Sequence, residues 1–176
     1  VEDVGKLLTK HKLTVNHKRD EAGERGLSVH DALERWAVSG TLPVPRDYTE
    51  TEAPYVAGLV AFLRDAQPDP IAAEVMVGSA EHSFAGRYDL LCNLMLTSEL
   101  NVTPKKKRER FPRGNYLIDL KTSGRIYKTA FFQLRAYEVA NAECGYDLPE
   151  HSLVLRVTDD GSYQVARPTV EFSQFL

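Results

Sequence analysis

The strongest indication of the fold is an apolar stretch that one acid and one base interrupt: Tyr116-Leu117-Ile118-Asp119-Leu120-Lys121-Thr122. Its composition predicts a strand over 115–121. Strand side chains alternate between two faces, so Ile118 and Leu120 are expected to face a core. Asp119 and Lys121 then lie side by side on the opposite face. A surface ion pair would explain them but would contribute little, and the apolar setting favours a central strand.

Helical and strand-like spacings of apolar residues continue on both sides of this strand. The predicted helices cover 26–40, 52–66 and 127–143, and the further predicted strands cover 71–77, 83–96, 153–158 and 163–167. The segment 83–96 forms one strand or two. This order predicts an α/β (α+β) fold with a central mixed sheet flanked by helices.

Length and composition indicate one globular domain over 1–176. With 43% hydrophobic and 27% charged residues, the chain is not intrinsically disordered. Residues 1–25 are polar and are predicted to form an irregular N-terminal segment. No apolar run approaches the ~18 residues of a membrane span, no secretory signal is visible, and two cysteines cannot form a disulfide framework. We therefore expect an intracellular protein, cytoplasmic or nucleoid-associated, with no membrane partner.

Charge is distributed unevenly along the sequence. The whole chain carries a net charge of −3, but residues 105–135 hold five Lys and five Arg against two acids, a net +8, so the remainder carries −11. A basic stretch within an acidic chain is typical of a surface that faces a polyanion, although a solvated loop explains it equally well. The most basic part belongs to a polar insertion, 97–113, between two predicted strands.

Two further acids lie within predicted strands. Asp89 follows Gly86, which allows a bend or a close approach of the backbone. Glu74 is embedded in the apolar run 71–77, where an acid is costly unless it is paired or bound to a metal. Together with Asp119, these acids on three neighbouring strands could converge on a hard cation, which prefers oxygen ligands. Each acid alone is also compatible with an ordinary surface position.

Three more polar side chains lie on predicted helices. Gln133 and Tyr137 are four residues apart and share a helix face. His30 borders an apolar stripe that includes Val29 and Leu33. A solvated Gln, a half-buried Tyr and a packed His are the ordinary explanations, so none of these residues identifies a function alone.

Five pieces of this pattern resemble the PD-(D/E)XK nuclease superfamily in its RecB-like exonuclease branch, which includes phage recombination and CRISPR-associated nucleases. That branch combines a helical His, a strand Glu, a Gly-x-x-Asp, an apolar-Asp-x-Lys strand and a Gln-x-x-x-Tyr helix. The matching positions are His30, Glu74, Gly86 to Asp89, Asp119 to Lys121, and Gln133 to Tyr137. The resemblance runs from residue 26 to about residue 167 and implies a restriction-endonuclease-like core.

The resemblance also implies roles for individual residues. The implied ligands of Mg²⁺ or Mn²⁺ are Asp89, Asp119, the backbone carbonyl of Leu120, Glu74 and His30. The implied catalytic residues are Lys121, Asp119, Asp89 and Glu74. Lys121 would orient or activate the attacking water and stabilise charge on the phosphate. Gln133 and Tyr137 would position Lys121 and the DNA backbone.

The implied activity is hydrolysis of DNA by a metal-dependent exonuclease in recombination, repair or replication. Its partner would be linear duplex DNA or single-stranded ends, with a recombination or replication protein left open as a further partner. Relatives with an iron–sulfur cluster use four cysteines, whereas this chain has only Cys92 and Cys144, so no cluster is expected. Two alternatives stay open: a nucleic-acid-binding module of nuclease fold with little or no activity, and an unrelated α/β protein with accidental matches.

The basic insertion 97–113 is the last candidate region. Residues 104–113 hold six basic side chains and one acid. Because the flanking strands carry Asp89 and Asp119, we expect the insertion to project beside the active-site cleft. The DNA-binding residues predicted there are Lys105, Lys106, Lys107, Arg108 and Arg110. A solvated loop and a nuclear-localisation patch are the alternatives.

Overall fold

The structure is a computed structural model that describes residues 4–95, 97–102, 107–171 and 173, with side chains described from residue 20 onward. Within these residues, three α-helices pack on a seven-stranded mixed sheet, which confirms the predicted α/β fold. The helices are α1 (Val4–Ser39), α2 (Ala53–Ala66) and α3 (Lys128–Glu143). The strands are β1 (Pro68–Ser79), β2 (Phe84–Leu94), β3 (Ser98–Val102), β4 (Lys107–Phe111), β5 (Gly114–Lys121), β6 (His151–Val157) and β7 (Tyr163–Ala166).

The apolar stretch around Ile118 forms β5, an interior strand. The sheet has the order β1-β2-β5-β6-β7-β3-β4. β5 is antiparallel to β2, with Ile118 opposite Leu90, and parallel to β6, with Ile118 opposite Leu153. All residues from Tyr116 to Leu120 are buried. The central position predicted from the apolar pattern is therefore confirmed.

Helices cover both faces of the sheet. α1 and α2 pack on one face, where Ile118 and Leu120 join the larger hydrophobic core. α3 packs on the other face over a smaller core that includes Leu117. Because side chains alternate along β5, Asp119 and Lys121 share the α3 face with Leu117. The two charged residues thus lie where the smaller core ends.

The N-terminal segment differs from its prediction. Residues 1–25 are not irregular where they are described, because α1 begins at Val4 and continues to Ser39. Many residues of this segment are Lys, Arg, Glu, Leu or Ala, which are good helix formers even without a continuous apolar face. α1 ends as predicted at Gly40, whose φ is +70° and whose N–H donates to the Trp36 carbonyl at 2.8 Å. No helix in the described part of the chain is long and apolar enough to cross a membrane.

The predicted insertion 97–113 belongs to the sheet itself. Its described residues include β3 and β4, which form an antiparallel hairpin. Leu100, Val102 and Phe111 are buried in the larger core, and this burial explains why a charged segment joins the sheet. β3 pairs with β7 through Val102 opposite Val165. The hairpin is consequently the edge of the sheet farthest from β1.

The remaining elements agree with their predictions to within a few residues. Segment 83–96 forms the single strand β2, which ends at Leu94. β1 begins at Pro68 rather than residue 71, because its first residues still pair with the end of β2. The predicted and observed strand boundaries differ because the alternation of apolar and polar side chains is less clear at the ends of a strand.

Candidate active site

Three of the predicted residues, from three separate elements, meet at one place beside the sheet. The Nδ1 atom of His30 on α1 lies 2.7 Å from Oδ1 of Asp89 on β2 and 4.0 Å from Oε1 of Glu74 on β1. One possible ligand atom from each residue lies within 4.8 Å of the other two. The side chains of Glu74 and Asp89 are only 11% and 8% exposed. The fold thus brings an imidazole nitrogen and two nearly buried carboxylates together.

The backbone of β1 is distorted where it presents Glu74. This residue has a φ of 53°, a left-handed conformation that costs on the order of 1–3 kcal/mol and is enriched at functional sites. Ala73 packs against the larger core and Val75 against the smaller one, although residues two apart in a regular strand share a face. On β2, Leu90 lies opposite Ala73 and packs in the larger core, whereas Tyr88 lies opposite Val75 and packs in the smaller core. Both strands therefore change faces at Glu74 and Asp89, which directs these side chains toward α1.

Asp119 and Lys121 on β5 form the second half of the site. Lys121 donates a hydrogen bond from Nζ to Oδ1 of Asp119 at 2.8 Å. The same Nζ lies 2.7 Å from Oδ2, but this oxygen is buried and accepts no hydrogen bond of good geometry. Asp119 is 2% exposed and Lys121 is 27% exposed. The Lys121 ammonium group is therefore close to both oxygens of a buried carboxylate, and only one of the two contacts is a hydrogen bond.

A backbone hydrogen bond connects the two halves of the site. The N–H of Leu120 donates to Oδ2 of Asp89 at 2.5 Å. The N–H and C=O groups of one strand residue point to the same side, so the Leu120 carbonyl also faces the gap between β2 and β5. Asp89 thus contacts α1 through one oxygen and β5 through the other.

Burial and mutual repulsion raise the proton affinity of the site. Burial raises the pKa of Asp119 to about 6, and the charge of Asp89 adds to the rise while Lys121 opposes it. Burial, followed by the charge of Asp89, also raises the pKa of Glu74. Burial lowers the pKa of His30, but the hydrogen bond to Asp89 and its charge outweigh burial, so the net pKa is raised. These directions indicate that the two carboxyl groups are poorly solvated, an environment in which a bound cation would favour their charged forms.

The predicted pair Gln133 and Tyr137 borders the site from α3. Nε2 of Gln133 donates to Oη of Tyr137 at 2.6 Å. The Tyr137 ring lies so close to Gly86 that a Cβ atom there would be 2.4 Å from Cε1. Burial raises the pKa of Tyr137, and the charges of Asp119 and Lys121 also act on it. Gly86 therefore serves the close approach of this ring to β2.

Two arginines beside the site were not predicted. Nε of Arg87 lies 2.6 Å from Oε2 of Glu74, so it balances part of that charge. Arg156 on β6 lies opposite Lys121 in the parallel register, and both side chains point to the same face. Arg87 falls inside the Gly86–Asp89 motif, and Arg156 follows a buried apolar run just as Lys121 does. A basic residue at the end of an apolar strand could therefore have identified Arg156 from the sequence.

The set of donor atoms fits a hard divalent cation. The clustered donors are carboxylate oxygens of Glu74 and Asp89 and a nitrogen of His30, and the motif resemblance adds Asp119 and the Leu120 carbonyl. Oxygen donors suit Mg²⁺, and a transition metal such as Mn²⁺ also accepts an imidazole nitrogen. Oδ2 of Asp119 is buried without a hydrogen bond and has the Lys121 ammonium group 2.7 Å away, so a bound cation would add a second positive partner to this oxygen.

The predicted DNA-binding residues of the hairpin do not lie beside this site. Lys107, Arg108 and Arg110 are on β4, which is separated from β5 by three strands, or about 19 Å at the usual spacing. Lys105 and Lys106 lie outside the described residues. For the described residues of the insertion, the predicted projection beside the cleft is wrong, because β3 pairs with β7 and carries β3 and β4 to the edge of the sheet away from β1.

The described bases of the hairpin also have acidic partners. The pairs are Lys107 Nζ with Glu109 Oε1 at 2.7 Å, Arg108 Nη2 with Asp65 Oδ2 at 3.0 Å, and Arg110 Nε with Glu99 Oε1 at 3.6 Å. Exposed pairs of this kind contribute about 0–1 kcal/mol each. Contact between these residues and DNA stays a prediction.

Comparison with known proteins adds no family assignment. No protein-family model matches the chain, and a search of the curated proteins finds no match either. The functional interpretation therefore depends on the geometry of the site and on the motif resemblance.

Proposed function

We propose that this protein is a metal-dependent DNA nuclease of the PD-(D/E)XK type that hydrolyses phosphodiester bonds as an exonuclease. The observation that carries the proposal is the cluster of His30, Glu74 and Asp89. The backbone of Leu120 binds this cluster through Asp89 and holds the buried Asp119 and the partly exposed Lys121 on either side of it along β5. Stability does not explain this convergence, because neighbouring buried acids are destabilising unless cations compensate them.

The roles of the residues follow from their positions. A bound Mg²⁺ or Mn²⁺ would lower the pKa of a coordinated water and neutralise charge on the phosphate. Asp89 and Asp119 supply the carboxylate oxygens nearest to β5. Glu74 and His30 complete the ligand set toward α1. Lys121, whose ammonium group is partly exposed, orients the attacking water and stabilises the charge that develops on the phosphate.

The choice of DNA and of an exonuclease rests on the motif resemblance, and the electrostatics are compatible with it. Three carboxylates close together repel a polyanion, so a cation must be bound before the phosphate can approach. Gln133 and Tyr137 then border the phosphate path from α3.

A nucleic-acid-binding module with an inactive site is the second candidate. It is favoured by the protein's own cations, because Arg87 lies 2.6 Å from Glu74 and Lys121 lies 2.7 Å from Asp119. Internal ion pairs of this kind could stand in for a metal. Such a protein would bind nucleic acid without cleaving it.

A cleavage assay with two topologies of DNA tests the proposal. End-labelled linear duplex and a covalently closed circle of the same sequence are incubated with Mg²⁺, Mn²⁺, Ca²⁺ or excess EDTA. We expect shortening of the linear DNA in Mg²⁺ and Mn²⁺, an intact circle, binding without turnover in Ca²⁺, and no cleavage in EDTA. Binding without products in every buffer would instead support the inactive module.

Asp89→Asn, purified in the same way, controls for contaminating nucleases. This variant keeps the shape of the side chain but loses a ligand charge, so it should be inactive on every substrate. Cleavage in EDTA or by this variant contradicts the proposed site, and cleavage of the circle contradicts the exonuclease assignment alone.

A further inference from the structure

A cavity of about 530 Å³ lies between the start of α3, β7 and the β3–β4 hairpin. Its wall combines bases, aromatic rings and one acid: Arg125, Arg156, Arg167, Phe111, Phe131 and Glu109. We call it the arginine groove. Its volume lies within the roughly 300–1,000 Å³ of sites that bind small organic groups. The charged and aromatic wall distinguishes it from an ordinary packing defect.

The arginine groove begins one strand away from Lys121. Arg156, which lines the groove, is the register partner of Lys121, and neighbouring strands are about 4.8 Å apart. The guanidinium group of Arg156 donates to the carbonyls of Ser123 at 2.8 Å and Gly124 at 2.6 Å. These bonds hold the loop that leads from Lys121 to Arg125. The groove and the candidate active site are therefore joined by a fixed piece of backbone.

Aromatic rings support the other two arginines of the groove. Cζ of Arg125 lies 4.6 Å from the ring centroid of Tyr127, and Cζ of Arg167 lies 4.1 Å from that of Phe111. Arg167 has one distant acid, Glu109, at 4.0 Å, and no ion pair to Arg125 occurs within the described residues. Stacking on a ring orients a guanidinium plane and leaves its N–H edge to polar partners. Nη2 of Arg167 donates a long hydrogen bond to the Arg110 carbonyl at 3.4 Å, and its other N–H groups can meet an anion.

We propose that the arginine groove binds unpaired nucleotides of a single DNA strand beside the scissile bond. Phosphates contact Arg125 and Arg167, and a base packs on Phe131. The inference rests on the proposed nuclease function but concerns a separate surface. The groove has three arginines against Glu109, whereas the neighbouring site is acidic, so a polyanion is attracted to the groove first.

The groove favours a single strand over a duplex because of its chemistry and size. Aromatic and apolar walls stabilise a base only when its face is free, as it is in an unpaired strand. In a duplex, the bases stack on one another, and only phosphates would reach the rim of the groove. A cavity of this volume accepts a nucleotide-sized group and excludes a double helix.

Binding measured by fluorescence anisotropy in EDTA tests the inference without any cleavage. The probes are a labelled oligo(dT) and a blunt duplex of equal length, and the protein is the full chain. The double variant Arg125→Gln/Arg167→Gln should weaken oligo(dT) binding roughly tenfold or more, since it removes hydrogen bonds from two charged groups. It should flatten the log–log salt slope by about 1.4 units, with duplex affinity changed less than about twofold.

Two further variants separate a direct contact from a folding effect. Arg46→Gln removes an exposed arginine outside the groove and should leave both affinities unchanged. Phe131→Ala should weaken oligo(dT) binding about fivefold or more, whereas Phe131→Tyr, which keeps the ring, should restore it. A merely structural role of Phe131 would lower the affinities for both probes together.

An unchanged oligo(dT) affinity in the double variant overturns the inference, and so does an equal loss for both probes. The outcome is independent of the proposed function. If the protein cleaves DNA but the arginines do not affect oligo(dT) binding, the proposed role of the groove is wrong and the proposed nuclease function is retained. If the arginines affect oligo(dT) binding but no metal supports cleavage, the proposed role of the groove is retained and the proposed nuclease function is wrong.

Discussion

The acidic site and the β3–β4 hairpin are both rich in charge, but they hold it in opposite ways. In the acidic site, Glu74, Asp89 and Asp119 are nearly buried, and one oxygen of Asp119 accepts no hydrogen bond. On the hairpin, the described bases are about half or more exposed, and they lie beside acids on the same or neighbouring elements. The hairpin is therefore more conspicuous in the sequence than the acidic site, but its charge pairing is the more ordinary of the two.

Burial with incomplete pairing consequently indicates a site better than density of charge does. An exposed pair contributes about 0–1 kcal/mol, so the hairpin pairs require no functional explanation. A buried acid without full compensation costs several kcal/mol, so its presence requires one. We expect changes in the acidic site to alter metal binding and rate, and changes in the hairpin to alter only salt-dependent affinity.

The largest effect is expected for Asp89→Asn and Asp119→Asn. Each removes a ligand charge while preserving side-chain shape, so cleavage should fall by at least about a thousandfold. Mn²⁺ should raise the melting temperature of the wild-type protein, because a ligand that binds the folded state stabilises it. Neither variant should show this rise in differential scanning fluorimetry.

The matched control for these variants is Asp69→Asn, which changes an exposed acid on β1. It should keep both the cleavage rate and the Mn²⁺-dependent rise in melting temperature. If Asp89→Asn and Asp119→Asn still respond to Mn²⁺ like the wild type, the comparison fails, since the buried acids then bind no metal.

Lys121→Met should have the second-largest effect. It removes the ammonium group that contacts Asp119, and removal of one such charge-stabilising group costs about a hundredfold to a thousandfold in rate. The Mn²⁺-dependent rise in melting temperature should persist, because the carboxylates are still present. Single-turnover rates at saturating DNA measure the effect. A rate near that of the wild type would exclude Lys121 from the reaction.

Gly86→Ala should have a smaller effect that acts through packing. The new Cβ atom would meet the ring of Tyr137 at 2.4 Å, and overpacking of this kind costs about 1–3 kcal/mol in the free energy of unfolding. The cleavage rate should fall as well, because the displaced ring borders the site. Urea denaturation measures the stability.

Gly23→Ala is the matched control for Gly86→Ala. Gly23 lies within α1, and a Cβ atom there meets nothing within 4 Å. The same chemical change should stabilise the protein by up to about 1 kcal/mol, since Ala is the better helix former. Equal destabilisation by both substitutions would contradict the packing role of Gly86.

The site was more predictable from the sequence than the periphery of the fold. His30, Glu74, Asp89, Asp119 and Lys121 were all predicted as site residues. The first three form one cluster, and the last two form an ion pair on the strand whose Leu120 N–H binds Asp89. The apolar setting of Glu74, Asp89 and Asp119 indicated pairing or metal binding, whereas the inclusion of His30 came from the motif resemblance. The φ of 53° at Glu74 was not predictable, since a non-glycine residue gives no local sign of a left-handed conformation.

The predictions for residues 1–25 and for the insertion 97–113 were wrong in part for one common reason. Polar composition was taken as a sign of an irregular segment in the first case and of an insertion between strands in the second. β3 alternates buried Leu100 and Val102 with the less buried Glu99 and Asn101, which is a strand pattern, and residues 4–25 include many helix formers. The position of the hairpin was beyond local reasoning, because it depends on the pairing of β3 with β7, which is more than 50 residues later in the chain.

The smallest effect is expected at the basic hairpin. Lys105→Gln, Lys106→Gln and Lys107→Gln together remove three positive charges, and each cation withdrawn from a phosphate flattens the log–log salt slope for duplex DNA by about 0.9 units. Lys107 is already 2.7 Å from Glu109, so we expect a change of about 2 units. The rate at saturating DNA should stay within about twofold, because three strands lie between β4 and β5. Binding titrations from low to high salt measure this slope. A wild-type slope would show that the hairpin does not contact DNA, whereas a large loss of rate would show that the two regions act as one site.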